Sequence, residues 1–137
     1  MEQSIFQIPA IDIHSHLGPV HGPMTMEAAE NGSEAYLLRT MDAAKIQISV
    51  NAIMPRGSGC SAEGNRQMLE AAHRLPGVYM WAVVDPHEPE TFAQARTMLE
   101  DARVLGIKIH PAEHEYDLEQ YGDSIFSFAE ALGVPVL

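Results

Sequence analysis

Residues 105–111, Leu-Gly-Ile-Lys-Ile-His-Pro, and residues 132–137, Leu-Gly-Val-Pro-Val-Leu, follow one pattern: an apolar helix end, a glycine, then a β-rich run. A glycine there supplies the left-handed residue that lets a helix turn straight into a strand. The pattern predicts a strand over Gly106–His110, stopped by Pro111, and the start of a fifth over Val134–Leu137. Between them a helix is expected over about Ser124–Leu132, with Ile125, Phe128 and Leu132 facing in.

Three similar units precede these. Ala10–His14, Gln47–Met54 and Val78–Val84 read as strands, the last almost wholly apolar, as a strand buried on both faces should be. Ser33 can cap a helix carrying Leu37, Leu38, Met41 and Ala44 at helical spacing. A second helix is expected over Asn65–Leu75, ended by Pro76-Gly77. A third is expected from Pro89 to about Arg103, with Phe92, Ala95, Leu99 and Ala102 inward. Strand starts about thirty residues apart match one βα unit, and strands separated by helices lie parallel. An open doubly wound sheet and half of a closed barrel both fit this alternation. The loop after the first strand, which begins His-Leu-Gly-Pro-Val-His-Gly-Pro, lacks the Gly-x-Gly-x-x-Gly phosphate cradle and argues against the former. The chain stops inside an apolar strand, a free edge that invites pairing, so residues 1–137 are expected to be one partial domain.

Composition narrows the function. With 46% apolar residues the 137-residue chain can bury a sizeable core. Its formal charge of −11, from 8 basic and 19 acidic residues, repels phosphate backbones, so neither nucleic acid nor an anionic membrane face is the expected partner. No apolar run reaches the roughly 20 residues that span a bilayer. The single Cys60 excludes an internal disulfide, and Met1–Pro9 lacks a basic leader region; a cytoplasmic location is expected.

The chemistry concentrates at strand ends. Side chains alternate along a strand, so His14 and His16 share one face about 6.6 Å apart. Two imidazoles so placed can converge on one divalent ion. Asp12 has the same parity one layer deeper: it can accept from a ligand histidine, act as a buried counter-charge, or bond the backbone near the barrel floor. Lys108 and His110 repeat the spacing on the fourth strand. His110 can serve as ligand, proton shuttle or donor to a substrate carboxylate, or simply as a strand-end histidine bonded to the loop. Lys108 can pair with Asp12 or another buried acid; its depth disfavours a metal-bridging carboxylated form. His21 is a weaker candidate in the first loop, while His73, His87 and His114 read as solvated surface. Met80 and Trp81 read as core, and Cys60 has no partner thiol that would support a nucleophile role.

Ile11-Asp12-Ile13-His14-Ser15-His16 resembles the first-strand signature of the amidohydrolase superfamily. Val83-Val84-Asp85-Pro86, Gly106–Pro111 and Gly133–Leu137 look like its amidohydrolase-related, decarboxylase-like branch. The resemblance implies α/β architecture of the (β/α)8 TIM-barrel type, here truncated to about four βα units plus the start of strand five. It also implies one divalent ion, usually zinc, held by His14 and His16. Further ligands, and the aspartate that acts as catalytic base, are expected downstream of Leu137. The leading expectation is a metal-dependent hydrolase in which metal-activated water attacks a small carboxylate-bearing amide, lactone or ester and His110 orients the substrate. Non-oxidative decarboxylation within the same branch is the first alternative. A catalytically incomplete half-barrel, self-associating through its open edges, is the second, and a small-molecule binding module on an open sheet the third. TatD-like nucleases and PHP phosphoesterases also begin with His-x-His, but the run Gly-Ile-Lys-Ile-His-Pro fits neither.

Overall fold

The computed structural model describes residues 8–18, 33–54 and 60–137. His21, most of the first loop and Pro55 lie outside the described residues. Strands β1 (Ala10–His16), β2 (Ile46–Ala52), β3 (Val78–Val83) and β4 (Val104–Lys108) alternate with helices α1 (Glu34–Ala44), α2 (Ser61–Arg74), α3 (Glu90–Met98) and α4 (Leu118–Leu132). All strand pairs are parallel and their order in the sheet is β1-β2-β3-β4. Ile107 bridges Val136 in parallel, and Leu137 N–H donates to the Ile107 carbonyl at 3.0 Å. Residues 134–137 thus occupy the next position beyond β4.

An order that never reverses decides between the two architectures. Each right-handed crossover steps the same way, which places every helix on one face; a doubly wound sheet reverses direction and carries helices on both. Here Leu37 and Met41 of α1, Met68 of α2, Ala95 of α3 and Ile125 of α4 all join one core with Val78, Met80, Ala82 and Ile107. The opposite face carries a separate apolar layer of Val50, Ala52, Met54, Trp81 and Val83.

That second face is concave. Trp81 on β3 reaches across β2, and its Nε1–H donates to the Ile13 carbonyl on β1 at 2.8 Å. Lys108 on β4 brings Nζ to 3.1 Å from His14 Nε2 on β1. In a flat sheet these two strands lie about 14 Å apart, a gap that a lysine and a histidine close only if the sheet curls. The described residues form an arc of a barrel that does not close on itself.

Several boundaries differ from expectation, each for a tertiary reason. The second helix starts at Ser61, four residues early, because the Glu88 carboxylate accepts from Ser61 N–H at 2.8 Å and Ala62 N–H at 3.1 Å. No residue local to that helix end supplies this cap. The third helix ends at Met98, where Asp101 folds an Asx turn by accepting from Arg103 N–H at 2.9 Å. Ala102 is therefore exposed rather than inward. The fourth helix starts at Leu118, capped by Asp117. Gly133 is left-handed as expected (φ 65°), but Gly106 is not; it lies within β4, where a Cβ would stand 2.5 Å from the Pro135 carbonyl oxygen and 2.7 Å from the Trp81 ring. Gly106 serves close strand approach, not helix termination.

Candidate metal centre

The end of β1 owes its shape to a bulge. Asp12 pairs with Ser49, but Ser15 pairs with Asn51, so Ile13 and His14 together oppose Val50. An extra residue in a strand flips the alternation beyond it. His16 is aligned with Ala52 of the concave layer, and His14 meets Lys108 from that side. Asp12 and Ser15 are instead aligned with Ser49 and Asn51. With Ser49, Leu37, Thr40 and Met41 they line a cavity of about 70 Å³ beneath α1, which His16 also borders.

The shared parity expected for Asp12, His14 and His16 therefore holds only for the two histidines. Asp12 Oδ1 accepts from the His14 backbone N–H at 3.0 Å, an Asx-type bond within the bulge. Of the roles open to Asp12, bonding to backbone is the one the geometry displays. Lys108 likewise meets no acid: its ammonium donates to His14 Nε2.

The His14 and His16 rings stand edge to face with centroids 5.3 Å apart. Burial, then the Lys108 charge, lowers the His14 pKa, against a small opposing pull from Asp12. Burial, then His14 and Lys108, lowers that of His16. Lys108, almost wholly buried, is itself pushed down by desolvation. These effects favour the neutral imidazole, the form that offers a lone pair to a cation.

The spacing of the two rings is compatible with one divalent ion. Two imidazoles bound through nitrogen at ~2.0–2.1 Å in a tetrahedral shell place their ring centres roughly 5 Å apart, which matches the observed spacing. The competing feature is Lys108, whose ammonium occupies His14 Nε2 and must move aside for a cation to use that nitrogen. Among the described residues no group of three or more His, Cys, Asp or Glu side chains gathers into a ligand set.

His110 lies two residues past the end of β4, half-buried at the start of the turn into α4. Its Nδ1 accepts from the Glu113 N–H at 3.3 Å, which leaves Nε2 as the proton-bearing nitrogen of the neutral ring. Met80 and Trp81 are buried as expected, Cys60 is exposed and free, and exposed His73 bonds Asp101 at 2.7 Å. His87 is exposed, with Nδ1 donating to the His114 carbonyl at 3.1 Å. His114 overturns the expectation of a solvated surface residue: it is 1% exposed, packed against Asp85 and Tyr116. Its charged neighbours in sequence concealed this, since only the fold brings β3's end against the 110–116 turn.

No helix among the described residues is long and apolar enough to cross a membrane. Compared with known proteins, residues 11–137 match the model of a family described as amidohydrolase. No curated protein and no solved structure matches.

Proposed function

The chain belongs to the amidohydrolase family, and from that premise we propose that it carries one edge of the metal site of a metal-dependent hydrolase acting on a small carboxylate-bearing amide, lactone or ester. The observation that carries this reading is the pair of imidazoles, His14 and His16, with ring centroids 5.3 Å apart on the concave face at the end of β1. In such barrels the C-terminal strand ends surround the reaction. A bound divalent ion, with zinc the leading choice, would lower the pKa of water and polarise a carbonyl.

The chain's own residues then have distinct tasks. His14 and His16 hold the ion. Asp12, through the His14 N–H, fixes the bulge that turns both rings inward. His110 presents Nε2–H to a substrate oxygen, because Nδ1 is engaged by Glu113 N–H. Lys108 places positive charge beside His14 at the mouth, where a substrate carboxylate would gain from it. Further ligands and the base that takes a proton from water come, in this proposal, from outside the described residues. The substrate is a small molecule; a nucleic-acid partner is disfavoured by the −11 charge.

Metal titration of the purified chain tests this. Zinc or manganese should bind one per chain, and His14→Ala or His16→Ala should weaken binding at least about 100-fold, beyond the loss seen for ligand-supporting groups. Wild-type protein that stays folded and binds no divalent ion would overturn it. Release of carbon dioxide rather than a hydrolysed product from a bound acid would select the decarboxylase alternative within the same family.

A further inference from the structure

Behind His110 lies a second polar cluster that the metal centre does not use. Asp85 follows β3, while His114 and Tyr116 sit on the turn between β4 and α4; Asp85 and His114 are fully enclosed and Tyr116 is 8% exposed. Asp85 is held rigidly: its N–H donates to Thr91 Oγ1 at 3.0 Å and its Oδ1 accepts from His87 N–H at 2.9 Å. Yet Asp85 Oδ2, both ring nitrogens of His114 and the Tyr116 hydroxyl have no hydrogen-bond partner among the described residues. Buried polar atoms are almost always satisfied, so four together on facing side chains demand an explanation.

The geometry supplies one. Asp85 Oδ2 and His114 Nδ1 stand 4.0 Å apart, too far for a direct hydrogen bond. Two bonds of about 2.8 Å meeting near a right angle span that gap. The Tyr116 hydroxyl feels both burial and the Asp85 charge, which push its pKa up to about 12. Asp85 Oδ2 and His114 Nδ1 supply two of the two to four partners that a buried water requires, and the unpartnered Tyr116 hydroxyl belongs to a ring stacked on His114. The His87 ring, edge-on to Tyr116 at 6.2 Å between centroids, packs beside them.

We propose that Asp85, His114 and Tyr116 form a binding site for one buried water, and that the bridged Asp85–His114 pair is a positioning device for His110. The mechanical link is backbone: His114 N–H and Glu113 N–H both donate to the His110 carbonyl, at 3.0 and 3.1 Å. Glu113 N–H also contacts His110 Nδ1. Fixing the His114 ring against Asp85 therefore fixes the turn that sets which His110 nitrogen carries the proton. In the proposed arrangement the shared water donates to Asp85 Oδ2 and accepts from His114 Nδ1–H. The functional value of this arrangement rests on the role proposed for His110; the arrangement itself does not.

Nitrogen chemical shifts of histidine-labelled full chain, read from pH 5 to 8 without metal or substrate, test the arrangement separately from that role. His114 should remain one neutral Nδ1–H tautomer down to at least pH 5.5 and show a cross-peak to a long-lived water. Asp85→Asn should abolish the single tautomer and shift the His110 ring signals. Tyr116→Phe, which deletes one hydroxyl from a packed ring, should shorten the water's residence at least tenfold with secondary structure unchanged. Normal titration of His114, a direct Asp85–His114 contact with no retained water, or His110 and His114 signals unmoved in folded Asp85→Asn and Tyr116→Phe would each overturn the proposal. Failure to bind metal would overturn the proposed function and leave these outcomes unaffected.

Discussion

The two ends of the sheet handle polar side chains in opposite ways. Around the end of β3, polar groups are buried and multiply bonded: Asn65 clasps Val83, accepting from its N–H at 2.7 Å and donating to its carbonyl at 2.9 Å, and Glu88 caps α2. At the end of β1, His14 and His16 are exposed; the His14 ring meets Lys108, and the His16 ring bonds the Ala52 backbone. Side chains engaged by backbone are spent on structure. The β3 side is framework; ligand binding at the β1 side is the role proposed for it, and the difference is measurable as stability against affinity.

The largest break in that contrast comes from Asn65→Ala. It leaves the Val83 N–H and carbonyl buried without their partners, each costing about 1–3 kcal/mol, so a loss of roughly 2–6 kcal/mol is expected by denaturant unfolding. His16→Ala in metal-free protein should change stability by no more than about 0.5 kcal/mol. Equal losses for the two would erase the distinction. Gly106→Ala forces a methyl against the Pro135 carbonyl and the Trp81 ring and should cost about 1–3 kcal/mol; a neutral result would mean that residues 134–137 do not pack on β4.

A smaller effect is set by pH. Burial lowers the folded pKa of His114, so below its unfolded value of about 6.5 the unfolded chain binds a proton that the folded chain resists. Stability is then fully present above that value and falls as pH drops, by at most about 1.4 kcal/mol per unit for one proton. Between pH 6.5 and 5.5 the wild type should lose more stability than His114→Leu does, by at most about 1 kcal/mol. An identical slope in the two would place His114 in solvent. Of similar size is Ser33→Ala, which removes the bond from Tyr36 N–H at 3.2 Å and should cost about 1 kcal/mol at the α1 terminus.

Much of the fold was legible because its signals are local. Strand and helix periods, the Ser33 cap and the left-handed Gly133 each depend on residues within one turn or one strand. The errors share the opposite property. The start of α2 depends on Glu88, 27 residues from Ser61, and Gly106 is a glycine because of Pro135 and Trp81. His114 lies among charges in sequence yet against Asp85 in space. For the candidate site, the His14–His16 pairing was readable from strand alternation. The orientation of Asp12 was not, because one inserted residue reverses alternation and a bulge has no strong sequence mark.

The sequence by itself determined that this protein is a series of βα units with two histidines on one side of the first strand, since periodicity and spacing are properties of neighbouring residues. The tertiary structure decided that the sheet curls, that Lys108 meets His14 rather than a carboxylate, and that His114 is enclosed with Asp85. Those outcomes depend on strand register and on contacts between residues up to 94 positions apart, and such contacts exist only once the chain has packed.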